Sequence, residues 1–155
     1  MFKVGDKVVY PHHGAGTIEG LQEKVVLNEK HKYYIFKLSL GELKITVPVS
    51  NTQDLGLRTV ISSSQARKVF NILKDKKCTM PDDWNERFKI NNEKIGSGSP
   101  FQVAEVVRDL SGRDGLTTRE KRMLNKAKQI LVSELMHSLD KPEKDVVKKV
   151  DTFVN

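Results

Sequence analysis

The sequence predicts an α+β chain, a small antiparallel β-barrel followed by an α-helical region, on three observations. Residues up to about 60 alternate apolar and polar with period two between turn residues. Residues after about 61 repeat their apolar positions three and four apart. The change falls at "SSS" (62–64), where a helix-capping pattern begins. The 155 residues suffice for two small domains, expected at 1–60 and 61–155. Each would have a small core, so the halves are expected to pack on each other or on a partner.

Taken in order, "FKVGDKVVY" reads as a strand that breaks at "PHHGAG", with Pro11, Gly14 and Gly16. "TIEGLQEKVVL" is a second strand, and "NEKH" a polar turn. "KYYIFKLSL" is rich in aromatic and β-branched residues, which puts some of Tyr33, Tyr34 and Phe36 in a core. Gly41 and Glu42 turn the chain into "LKITVPV", where Leu43, Ile45 and Val47 alternate with Lys44 and Thr46. Pro48 ends that strand or marks a sheet edge, and "DLGLR" offers a last short strand.

The helices are punctuated by their caps. Ser62 with Gln65 forms a capping box ahead of "ARKVFNILK", and Asp83 with Glu86 starts a helix carrying Trp84 that Gly96 and Gly98 stop. Ser99 and Pro100 are an N-cap and a proline at the first helical position, opening a helix that ends near Gly112. Thr117 with Glu120 opens the longest helix, "TREKRMLNKAKQILVSELMHSL", and a last amphipathic helix is expected near Asp140–Val154.

The formal net charge is +7 and the pI about 9.5, a balance that favours acidic partners, nucleic acid first. The excess is uneven. Residues 1–60 hold 8 Lys/Arg against 6 Asp/Glu, and residues 61–155 hold 19 against 14. The one cysteine, Cys78, excludes an intramolecular disulfide and suits a reducing cytoplasm. No apolar run approaches the ~20 residues that span a bilayer, so a cytoplasmic chain without a membrane partner is expected.

Catalysis has little support. No phosphate-binding glycine loop with a lysine is present. Cys78 has no recognisable partner histidine, and the adjacent His12 and His13 point to opposite faces of an extended chain with no second ligand cluster nearby. A non-enzyme with no metal and no cofactor is the reading. The basic residues are more informative. On the long helix Arg119, Arg122 and Lys126 share one stripe, and Lys121 and Lys128 another, both largely off the apolar seam. Such stripes are either solvated faces or phosphate contacts; the overall basicity and the capped helix start favour phosphate. Trp84, the sole tryptophan, is either packed between helical segments or left on the surface for an outside partner to cover.

"FKVGDKVVYPHHGAG", "VAEVVRDL" and "LTTREKRMLNKAKQILVSEL", with a tryptophan between the halves, together resemble the CarD/CdnL family of bacterial RNA polymerase-binding transcription regulators. The resemblance spans nearly the whole chain in the same order. It implies a Tudor-like barrel docked on the RNA polymerase β subunit. A related barrel occurs in transcription-repair coupling helicases, though this chain carries no motor. It also implies a helical domain on promoter DNA at the upstream edge of the melted bubble, stabilising the open complex. Trp84 matches the family's minor-groove wedge, Lys89 and Lys121 match backbone-contacting lysines, and Arg87 fits the same surface. On the polymerase side, related members carry arginines at the positions of Lys24 and Thr46. Lys24 keeps the charge without the planar fork and Thr46 keeps neither, so Lys44 is a candidate to take over, and main-chain pairing at a sheet edge could carry the contact regardless. DNA contacts through Trp84, Arg87, Lys89, Arg119, Lys121, Arg122 and Lys126 would then be independent of sequence. Two other classes remain open on the residues: an RNA-binding barrel using exposed aromatics, and a protein-interaction adaptor with solvated basic helices.

Overall fold

The computed structural model describes residues 2–41, 43–75 and 80–154. Five strands form one antiparallel sheet: β1 (Lys7–Tyr10), β2 (Gly14–Val26), β3 (Glu29–Leu38), β4 (Lys44–Pro48) and β5 (Arg58–Thr59). Five α-helices follow: α1 (Ser63–Lys74), α2 (Trp84–Gly96), α3 (Pro100–Ser111), α4 (Thr118–Leu139) and α5 (Glu143–Val154). No described helix is long and apolar enough to cross a membrane.

The strand order is β4-β3-β2-β1-β5, and the expected barrel is not closed by a ladder between its edges. The reason lies in β5, which has two residues and pairs only with β1, at Val8↔Thr59 and Val9↔Arg58. Within this open sheet the alternation holds. Tyr34, Phe36 and Val47 are buried with Val8, Ile18 and Leu57, while Tyr33, Lys44 and Thr46 are turned away from that core. The Tyr34 hydroxyl completes the core, donating to the Phe2 carbonyl and accepting the Phe2 N–H, both at 3.0 Å.

Two turns differ from their expected places. The β2–β3 turn consists of Leu27 and Asn28, both at positive φ (52° and 67°), so "EKH" of the expected turn belongs to β3. A two-residue turn with both residues left-handed matches the right-handed twist of the flanking strands. Leu43, expected in the strand with Ile45 and Val47, precedes β4 and is exposed. Cys78 lies outside the described residues.

All four expected helix caps are in place. Ser62 and Thr117 form full capping boxes with Gln65 and Glu120, the Asp83 carboxylate accepts the Glu86 N–H, and the Ser99 hydroxyl accepts the Gln102 N–H ahead of Pro100. The helical core gathers Val69, Leu73, Val106, Leu110, Leu131 and Leu135, and α5 adds Val146 and Val150.

Polar bonds join sheet to helices. Arg58 of β5 grips Glu134 of α4 through two N–H···O contacts of 2.6 and 2.7 Å, and its Nε donates to the Gly98 carbonyl at 2.6 Å. The Ile61 N–H also donates to Glu134, at 2.9 Å. Nearby, the Ala15 N–H donates to Ser133 Oγ at 2.8 Å. Gly14, at φ +103°, sits so close to Ser133 and Ile130 that a side chain there would meet the hydroxyl at 2.9 Å. The open sheet is thereby seated on α4, which fixes the sheet's outer face relative to the helix ends.

Candidate nucleic-acid interface

Helix α2 begins at Trp84 because Asp83 caps it, its carboxylate accepting the Glu86 N–H at 3.3 Å. The indole is 42% exposed and belongs to neither apolar core. Of the two readings of Trp84, the one packed between helices is not realised; the ring stands at the protein surface.

Three residues further along α2, Arg87 is 4% exposed. Its Nε and Nη2 donate to the two carboxylate oxygens of Glu120 at 2.6 and 2.9 Å, and Nη1 donates to the Asp82 carbonyl at 2.8 Å. This corrects the expectation that Arg87 contacts DNA: its guanidinium is committed to a buried partner and faces inward. The charge-assisted fork ties together the segment preceding Trp84, α2 itself and the first turn of α4. The hydrogen bond from Arg87 holds the Glu120 carboxyl below its ordinary range, and the same bond raises Arg87. Sequence reasoning found Glu120 only as a cap. The missed signal was spacing: Arg87, Asn91 and Ile95, four apart, form the buried stripe of α2, but only Ile95 is apolar enough to reveal it.

On α4, Arg119, Arg122 and Lys126 line one side of a cleft of about 260 Å³ together with Met123. The other wall is Phe88, Asn92 and Ile95 of α2, and His12 from the β1–β2 turn closes the end. The Arg119 guanidinium lies over the Phe88 ring at 4.4 Å, a cation–π contact. Trp84 lies one turn before Phe88 on α2. The structure thus brings Arg119, Arg122 and Lys126 together along one cleft, with Trp84 one helical turn before Phe88, a residue of the cleft's opposite wall. Lys89 and Lys121 are exposed but do not line the cleft. Lys121 shares its stripe with Lys128, which bonds Asp151 of α5 at 2.5 Å. At roughly 100° per residue that stripe is some 140° around α4 from the Arg119 stripe.

The sheet presents a separate surface. Directly paired residues share a face, and the register pairs Lys24 with His31, Gln22 with Tyr33 and Pro48, Gly20 with Ile35 and Thr46, and Lys37 with Lys44. Lys24, Lys44 and Thr46 therefore lie on the same outward face, with Tyr33 and Ile35 between them. The Lys24 ammonium sits over the Tyr33 ring at 5.4 Å, and Lys44 is paired with Glu19 at 3.1 Å. β4 is an edge strand, pairing with β3 on one side. Leu21 and Val25, on the opposite face of the ribbon, and Val26 and Leu27 near the β2–β3 turn are also exposed.

Residues 2–61 match the model of the CarD-like/TRCF RID domain, and residues 68–151 match that of the CarD C-terminal domain. Putative transcription factor YdeB of Bacillus subtilis (strain 168) is 37% identical over 138 residues, covering 87% of this chain and 90% of the relative. Sheet and helices alike are matched in order along nearly the full length, and the chain belongs to the CarD family of transcription regulators.

Proposed function

We propose that the chain works in two parts, a sheet domain (1–60) that docks on the RNA polymerase β subunit and a helical domain (61–155) that holds promoter DNA at the upstream edge of the bubble, stabilising the open complex. The observation that carries this reading is the 42% exposed Trp84 at a capped helix start, with the buried Arg87–Glu120 pair in the next turn of its helix and a cleft lined by Arg119, Arg122 and Lys126 that begins one turn on, at Phe88. A large aromatic left partly exposed at a helix start, on the helix that also walls a cleft lined by cations, suits a wedge at the minor groove with phosphate contacts nearby. Lys89, exposed on α2, extends the phosphate contacts, and Lys121, about 140° around α4 from the Arg119 stripe, reaches a different stretch of the backbone. The outward face carrying Lys24, Lys44 and Thr46 beside the β4 edge suits pairing with a strand of the polymerase. Tethering raises the local concentration of the helices at the DNA, so weak intrinsic affinity suffices.

The RNA-binding alternative loses support, because of its three aromatics Tyr34 and Phe36 are buried and only Tyr33 faces outward. The test is capture of core polymerase by the full chain, together with the dissociation half-life of promoter open complexes with and without it. Polymerase capture with a lengthened half-life is expected. Failure to bind polymerase, or an unchanged half-life on several promoters, would refute the reading.

A further inference from the structure

We propose that the cleft between α2 and α4 captures one unpaired nucleotide of the DNA strand opened beside Trp84. The inference rests on the DNA-binding reading above and adds a ligand subsite to it. Phosphates alone call for cations and N–H donors, and a duplex backbone would leave the floor of this cleft uncovered. That floor is apolar, formed by Phe88, Ile95 and Met123. An unpaired base brings the planar apolar surface that such a floor needs. The Arg119 guanidinium, 4.4 Å from the Phe88 ring centroid, offers a planar group of the kind on which splayed bases stack. Asn92 offers both an amide donor and an acceptor to the pairing edge of a base. Arg122 and Lys126 stand on the rim for the attached phosphate, and among the described residues no Asp or Glu lines the cleft. The cleft's volume of about 260 Å³ is at the scale of a single small ligand, not a strand.

Position supports the pairing of functions. Trp84 precedes Phe88 by four residues, about 6 Å along the helix axis. A ring that parts a base step and a cleft that receives the displaced base are then neighbours on one helix. Capture would oppose reclosing of the bubble, since the nucleotide must leave the cleft before it can pair again.

The experiment uses the full chain at low salt with a fork-junction DNA bearing one unpaired 2-aminopurine at the junction, against the same sequence fully paired. The fork should bind about 10-fold more tightly, the scale of one stacked base, with 2-aminopurine emission quenched. Asn92 is exposed, so Asn92→Phe should fill the cleft without removing a cation or a core residue. It should abolish both the preference and the quench and leave duplex affinity unchanged. Asn92→Ala, which keeps the cleft open but removes the amide, should lose only the part of the preference due to the hydrogen bonds to the base edge and keep the 2-aminopurine quench, which comes from stacking. Equal affinity for fork and duplex, or a preference that survives Asn92→Phe, overturns the capture proposal while leaving DNA binding intact. Binding to neither DNA, even with polymerase present, overturns the DNA-binding reading itself. Free deoxyadenosine monophosphate should compete only weakly; competition at micromolar concentration would make the cleft a site for a free nucleotide and overturn capture from a strand.

Discussion

A single pair of side chains does much to hold the tryptophan in place. Arg87 and Glu120 are 33 residues apart and almost wholly buried, and together they bind the segment before Trp84 to the start of α4. Removing one partner leaves an uncompensated buried charge, so Arg87→Ala should cost about 3–5 kcal/mol in a denaturation experiment. Arg87→Lys should recover only part of that, because an ammonium cannot reproduce the fork. The pair also sets an acid limit. Glu120 is held below its ordinary 4.5 by the Arg87 hydrogen bond, so the unfolded chain takes up the proton first as pH falls. The stabilisation is full above that ordinary value and is lost as pH drops through the lower folded value. Melting curves below pH 4.5 should therefore fall less steeply for Glu120→Gln than for the natural chain.

Elements were largely legible in the sequence where the signal was local. Ser62–Gln65, Asp83–Glu86, Ser99–Pro100 and Thr117–Glu120 lie within one turn, and each marks a helix start. Period-two alternation put some of Tyr33, Tyr34 and Phe36 in a core; the packing shows that Tyr34 and Phe36 are the ones, together with Val47. Long-range relations were not legible. The burial of Arg87 depends on a carboxylate from another helix, and the opening of the barrel depends on how short β5 is. Two charge stripes on α4 were readable from spacing, but that one lines a cleft and the other adjoins α5 required the packing. Neutralising Arg122 and Lys126 should lower the salt dependence of DNA binding by roughly one unit of slope per lost phosphate contact, about equally on unrelated sequences. A changed sequence preference would mean that these residues read bases. On the sheet, Thr46→Arg should tighten polymerase binding, since position 46 lies on the same face as Lys24. Glu19→Gln, which frees Lys44 from its partner, should do so too if Lys44 supplies the contact. Unchanged affinity in both variants would place the docking surface elsewhere.

At the scale of the whole molecule, two small cores are coupled by polar bonds. Glu134 is 3% exposed and takes both a fork from Arg58 and the Ile61 N–H, where the sheet passes into the helices. Arg58→Ala should cost about 2–4 kcal/mol, below the fully buried range because Arg58 itself is 28% exposed. It should also weaken open-complex stabilisation more than it weakens polymerase binding or DNA binding measured singly, because a looser joint lowers the effective concentration of one domain at the other's site. The central claim is that Trp84 acts on DNA and not on the fold. It is tested most directly by the open-complex half-life of Trp84→Ala, read beside its thermal melt. The half-life should shorten about 5- to 150-fold, corresponding to ~1–3 kcal/mol of lost stacking, with a melting temperature close to that of the natural chain, as befits a ring outside both cores. A variant that melts far earlier, yet supports a normal half-life where still folded, would contradict it.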